Sequence, residues 1–286
     1  MCPRNDANFQ EAEMPFDTFT RIVDDMPFLK GVQICGLGEP FLHRDLFKMI
    51  RYVRQRDMTA LVVTNGTLLN RANTEAIFRS DITTIHISID SADPETYATI
   101  RVGAKLEEVK RNIKHLTEEK TKRRSALRVI INSVLMRRNF RQIALMVKLG
   151  YETGADLVNF SDIGYGFDVG ISKRDESLRL LGTEEKREAE QHFNHAKTFS
   201  QSLGVPISLP RLEQPNRRQQ CEQPFTYFTI NEQMNVRPCC GIHKRHFGDL
   251  AKQTWREIWN NKEFQAFRGQ LLSDDIPAEC RDCGML

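Results

Sequence analysis

The chain contains no run of 18 consecutive apolar residues, whereas a helix needs about 20 to cross a bilayer. No short apolar leader with a cleavage site precedes the first helical pattern, so the expectation is a cytoplasmic protein without a membrane partner. Charge of one sign is also missing: 41 Lys plus Arg against 38 Asp plus Glu leave a formal +3. No region holds the sustained basic surplus that neutralising phosphates requires, which argues against nucleic acid as a partner. The densest basic run, "EEKTKRR" at 118–124, closes a predicted helix and reads as its solvated end, where cations favour the macrodipole. Cysteine is scarce through the first 220 residues, with Cys2 and Cys35 alone. The other five, Cys221, Cys239, Cys240, Cys280 and Cys283, follow residue 220. In a reducing compartment they read as ligands, catalytic groups or core residues before disulfides.

What is present in the first two thirds is alternation. Near-continuous apolar runs, "GVQIC" (31–35), "ALVVT" (60–64), "TIHISI" (84–89), "LRVIINSVL" (127–135), "DLVNF" (156–160) and a late "PISL" (206–209), fit strands covered on both faces. Helical patterns separate them, and regular β-then-α order predicts a parallel sheet with right-handed crossovers, closing as a barrel or part of one. Cys35 on the first run is expected in the core. After residue 210 a polar linker leads to "FTYFTINEQMNVRP", which alternates like a hairpin with "NEQMN" as its turn. An amphipathic stretch with both tryptophans follows, then "CRDC".

The punctuation lies beyond the carboxyl ends of the strands, where α/β folds bind ligands. "GLGEP" offers glycines at Gly36 and Gly38 for close backbone approach and Glu39 as an acceptor. "TNG" (64–66) follows the second strand. In "SID", Ser88 and Asp90 share one face if the strand continues, since side chains repeat every two residues. In "SADPETY", Asp93 can cap a helix whose first residue is Pro94. His43 reads as ordering its loop, and His243 and His246 as polar loop residues. The "SDIGYGFDVG" loop, with Tyr165 and Phe167, is expected to cover the substrate. Cys280 and Cys283 form C-x-x-C, and Cys221 with Cys239 adds a distant pair; four thiolates can hold zinc or a [4Fe-4S] cluster. Cys239 and Cys240 point opposite ways at a strand end, so one of them binds.

Together these motifs resemble the radical S-adenosylmethionine enzymes that carry a C-terminal SPASM or Twitch-type auxiliary iron–sulfur module, over essentially the whole chain. The resemblance implies an α/β fold: a partial (β/α)6 TIM-like barrel, its first strand missing, over 1–210, and a small α+β Cys-rich module over 211–286. It casts "CP" as the end of the family's C-x-x-x-C-x-x-C loop, with Cys2 as the last ligand of that triad. Backbone around Gly36 to Glu39 would meet the methionine amino group. Thr64 and Asn65 match the next strand-end motif, and Ser88 with Asp90 the ribose position. Asn132 or Ser133 would reach the methionine carboxylate or the ribose, and Ile163 would pack adenine. Cys221, Cys239, Cys280 and Cys283 are the implied ligands of one auxiliary [4Fe-4S] cluster, the Twitch form. The implied activity is formation of a 5′-deoxyadenosyl radical that abstracts hydrogen from a small-molecule or peptide substrate, with a reducing electron donor as partner. Because two cysteines of the triad would stand before Cys2, the chain as written is expected to be inactive and its full-length parent active. The alternative is a catalytically inactive zinc- or cluster-stabilised binding protein on the same scaffold.

Overall fold

The computed structural model describes residues 12–163, 173–212, 221–242, 245–280 and 283. They fall into two compact units, one of residues 29–163 and 174–212, the other holding 12–28 and 221–283. The first helix, α1 (Phe16–Asp24), belongs to the second unit.

In the sheet unit the elements run β1 (Gly31–Ile34), α2 (Leu46–Arg54), β2 (Thr59–Thr64), α3 (Arg71–Ser80), β3 (Thr84–Ser88), α4 (Pro94–Ile100) and α5 (Leu106–Lys122). They continue through β4 (Arg128–Leu135), α6 (Ile143–Thr153), β5 (Leu157–Asp162), the short α7 (Lys173–Glu176), α8 (Thr183–Leu203) and β6 (Ile207–Ser208). The six strands form one sheet in sequence order, every ladder parallel. Alternation sets the two faces. Ile85, Ile87, Val129, Ile131 and Val158 are wholly buried, whereas His86, Ser88, Asn132 and Asn159 are half-buried on the other side. Helix α5 buries Leu106, Val109, Ile113 and Leu116, an apolar stripe at helical spacing. Each such side chain contributes roughly 1.5–3 kcal/mol of transfer free energy. Helix α6 rides close to β5: a Cβ at Gly150 would lie 2.4 Å from Val158 Cγ2.

Strand positions follow the apolar runs to within two residues. β5 extends to Asp162 because it stays in register with β4 as far as Leu135. Cys35 departs from its expected place. β1 stops at Ile34, and Cys35 is exposed beyond the end of this edge strand, its sulfur accepting from the Gln33 amide at 3.5 Å. Asp93 caps α4, accepting from the Thr96 N–H at 2.8 Å, with Pro94 in the first turn.

The second unit builds a small core around a three-stranded antiparallel sheet, β7 (Thr229–Ile230), β8 (Asn235–Arg237) and β9 (Gly248–Asp249). Helices α9 (Gln223–Thr226), α10 (Trp255–Trp259) and α11 (Lys262–Leu271) flank it. The hairpin turn is the one expected, with Met234 at φ 66°. The expected helical stretch is two helices. Asn261 breaks it by capping α11 through the Phe264 N–H at 2.7 Å while its amide donates to the Phe247 carbonyl. Phe247, Ile258, Phe264, Phe267 and Cys280 share the core. Helix α1, which the sequence groups with the sheet, finds its partners here. Arg21 reaches Met234 Sδ at 2.9 Å, and the Phe28 ring lies 4.5 Å from that of Trp255. No helix among the described residues is long and apolar enough to cross a membrane.

Candidate functional site

At the carboxyl ends of β1 and β2 one carboxylate joins two loops. Glu39 Oε1 accepts from the Thr64 hydroxyl at 2.6 Å and the Phe41 N–H at 3.2 Å, and Oε2 accepts from the Asn65 N–H at 2.8 Å. Thr64 Oγ1 in turn accepts from the Gly66 N–H, and Asn65 Oδ1 accepts from Thr67. Both oxygens of Glu39 are therefore engaged in building the loops. What the loop leaves open is backbone: Gly36 and Gly38 are exposed, with open space where a Cβ would stand at Gly38 and only the Gly38 backbone N at 3.9 Å from one at Gly36. Gly66 is glycine by necessity, at φ 79° and with a Cβ position 2.9 Å from both Ile87 Cγ2 and Val109 Cγ1. His43 orders the following turn, accepting from the Asp45 N–H.

Further along the sheet, Ser88, Asn132, Asn159 and Ser208 stand in register across four neighbouring strands, a polar row on one face. Ser133 faces the opposite side, wholly buried, its hydroxyl without a hydrogen-bond partner among the described residues. Asp90 does not join Ser88. The strand ends at Ser88, so the two-residue alternation lapses, and Asp90 turns inward to 1% exposure. Its Oδ1 accepts from the Val134 N–H at 2.9 Å and its Oδ2 from Arg101 Nε at 2.7 Å. Both oxygens are committed within the protein, and the residue this pair presents is Arg101, which sequence reasoning missed. Ile163 is buried with Ile100 and Met136, with Val134 packed against them, in a small apolar core cluster. Asp162, just before it, is pushed up by burial, against hydrogen bonds from Leu178, Ile163 and Ser177 and the nearby Arg179 charge.

His86 and Asn159 were also missed. Their signal was the spacing of His86 two residues before Ser88 and of Asn159 opposite Asn132. His86 Nδ1 pairs with Asn132 Nδ2 at 2.9 Å, and Asn159 Nδ2 donates to Asn132 Oδ1 at 3.1 Å.

In the second unit Cys221, Cys239, Cys280 and Cys283 share one electrostatic neighbourhood. Burial raises the Cys280 thiol to about 12, and Cys283, Cys239 and Cys221 add to the rise. Burial likewise lifts Cys221 and Cys239. Two N–H groups, of Gly241 and Ile242, point at Cys239 sulfur, and that of Gln223 at Cys221. Cys239 is thus the inward thiol of its pair, and Cys240 is exposed. Among the described residues no three His, Cys, Asp or Glu side chains are gathered tightly enough to hold a metal ion. The four thiols are neighbours without a closed ligand shell. Their chemistry still fits a cationic cluster: Cys221, Cys239 and Cys280, whose thiols burial pushes up, give up their protons most readily to a group that brings positive charge. Cys2, Tyr165, Phe167 and His243 lie outside the described residues.

Sheet and strand-end loops define an open parallel α/β fold, and the second unit is a small cysteine-rich domain. The comparison with protein families agrees. Residues 1–149 match the radical SAM superfamily and residues 221–284 match the SPASM iron–sulfur cluster-binding domain, and the chain belongs to the radical SAM superfamily. The two domains imply [4Fe-4S] clusters and S-adenosylmethionine as cofactors. Its relatives include the tungsten-containing aldehyde ferredoxin oxidoreductase cofactor-modifying protein of Pyrococcus furiosus, 22% identical, aligned over 100% of this chain and 83% of that protein. The PqqA peptide cyclase of Gluconobacter oxydans is 25% identical over 95% of this chain and 74% of its own length. Among solved structures, Streptococcus suis SuiB bound to its precursor peptide SuiA superposes with a TM-score of 0.72 at 16% identity. That match covers 100% of this chain and 66% of SuiB, so the chain spans just under two thirds of that structure. Native anSMEcpe with bound AdoMet gives a TM-score of 0.67 at 15% identity, covering 98% of this chain and 80% of that one.

Proposed function

We propose that the strand ends of the sheet hold S-adenosylmethionine and that the enzyme modifies a peptide. The observation that carries the first part is the Glu39 bridge, which ties the "GLGEP" loop to the "TNG" loop and leaves the backbone of Gly36 and Gly38 free to meet an ammonium group. Ser88 and Asn132 offer hydroxyl and amide to the ribose or the methionine carboxylate. Arg101, its Nε held by Asp90, keeps the rest of its guanidinium for an anion. Ile163, in the apolar cluster with Ile100 and Met136, is the residue proposed to pack against adenine. Bound there with a reduced cluster, S-adenosylmethionine supplies hydrogen-atom abstraction; the protein's part is placement and exclusion of water. Cys2 is the residue of this chain assigned to that cluster. The peptide reading rests on relatives whose names concern peptides, the PqqA cyclase and SuiB with its precursor.

In the module, Cys221, Cys239, Cys280 and Cys283 are proposed to hold one auxiliary cluster. Anaerobic reconstitution of the full chain with iron and sulfide tests it: the module should take up about four irons and turn brown. Cys239→Ala should lose that colour and Cys240→Ala should keep it. A colourless protein that retains zinc would overturn the assignment.

A further inference from the structure

We propose that His86 and Asn159 are positioning residues that set the orientation of the Asn132 amide toward S-adenosylmethionine, through a one-way hydrogen-bond chain across β5, β4 and β3. The inference deepens the proposed function and rests on Asn132 facing that ligand.

The direction of the chain follows from its chemistry. Asn159 Nδ2 donates to Asn132 Oδ1, which identifies the carbonyl end of Asn132 and leaves Nδ2 for His86. An amide nitrogen donates only, so His86 Nδ1 must accept. The imidazole is therefore the neutral tautomer with its proton on Nε2. The second N–H of Asn132 and the second lone pair of its Oδ1 remain for a ligand, at an orientation that neither side chain could impose by itself. Without both neighbours the terminal amide would rotate freely about a broad torsion.

The surroundings favour the neutral ring. β2 places Val63 beside His86 and β4 places Ile130, both apolar. The charge that acts on His86 is Arg128 on β4, and burial together with that guanidinium pushes its pKa below the ordinary histidine value. An imidazolium has no lone pair, so a proton on His86 breaks the chain and frees the Asn132 amide to turn over. Folded-state pKa being depressed, the chain is intact at neutral pH and is lost only as pH falls through the lowered value.

Binding of S-adenosylmethionine to the anaerobic full chain, by calorimetry between pH 5 and 8, tests this alongside nitrogen NMR of the imidazoles. The wild-type protein should bind less tightly on the acid side, and the His86 resonances, assigned by their disappearance in a variant, should report the Nε2–H tautomer. His86→Asn places a non-titrating acceptor near Nδ1 and should bind with a flat pH profile. His86→Leu should bind about tenfold more weakly than the wild-type protein at pH 8, the equivalent of one lost hydrogen bond, and converge with it on the acid side. An Nδ1–H tautomer, or His86→Leu binding as wild type does with the same pH profile, overturns the chain while leaving the proposed function intact. No binding by the wild-type protein at any pH overturns both.

Discussion

Asp90 separates two views of the third strand end, and the separation can be measured. If its carboxylate met a ribose, replacing it would weaken ligand binding and leave the fold nearly untouched. The structure instead buries it to 1% exposure with one oxygen on a backbone N–H and the other on Arg101. In Asp90→Asn the remaining carbonyl can serve Val134, but the new NH2 confronts the guanidinium donor. The lost charge-assisted bond costs about 1.5–3 kcal/mol. Arg101 is about a quarter exposed, so water screens the orphaned cation and holds the cost toward the lower end. Asp90→Ala also strips the Val134 N–H of its acceptor and should cost about 3–5 kcal/mol, the range for breaking a buried pair. For a unit of this size each kcal/mol is worth about 2–4 °C in Tm. Thermal unfolding followed by circular dichroism should therefore drop by roughly 4–10 °C in Asp90→Asn. Adding Arg101→Gln should cost little more, because the pair is already broken. A Tm within about 2 °C of wild type, with the two substitutions additive, would refute the reasoning.

Three other outcomes follow from the same geometry. Gly66→Ala should destabilise by about 2–3 kcal/mol in urea unfolding, since the new methyl meets Ile87 and Val109 at a positive φ. In the metal-free chain at pH 8, iodoacetamide followed by mass spectrometry should label exposed Cys35 well before Cys280, whose thiol is pushed up to about 12 and holds only about one thiolate in ten thousand. Asp162, raised by burial, binds its proton more tightly folded than unfolded. Its contribution to stability should thus fall as pH rises from the ordinary carboxylate value through the raised one, and Asp162→Asn should remove that part of the acid slope in denaturation curves taken across it.

How much of this was legible in the sequence depends on the range of the interaction involved. Strands buried on both faces announce themselves as apolar runs, and Asp93 before Pro94 is a local cap, so both stand where expected. The break at Asn261 was missed because the periodicity of α10 and α11 continues across it; only the Phe247 carbonyl, brought near by β9, shows why the asparagine turns inward. Asp90 failed for a related reason. Alternation holds only while a strand lasts, and nothing in "SIDSAD" marks the end of β3 at Ser88. The register that sets Asn132 between His86 and Asn159 is likewise a property of three strands at once.

The candidate sites of the two units differ in how much the protein alone has prepared. At the strand ends the polar groups are already spent on one another: Glu39 on Thr64 and Asn65, Asp90 on Arg101, and His86 and Asn159 on Asn132. Such a shell keeps its shape without a ligand, because each of these groups is held by a partner within the fold. The cysteine module is the opposite case. Its thiols lie close enough to raise one another and receive three backbone N–H groups, yet they form no closed shell. Its aromatic core is small, and a unit of this size gains stability when a bound group replaces missing core. Loading with iron and sulfide should therefore raise the unfolding temperature of the module far more than S-adenosylmethionine raises that of the sheet unit. A module whose Tm stays unchanged on loading would mean that the core around Phe247, Phe264 and Phe267 suffices without the cluster.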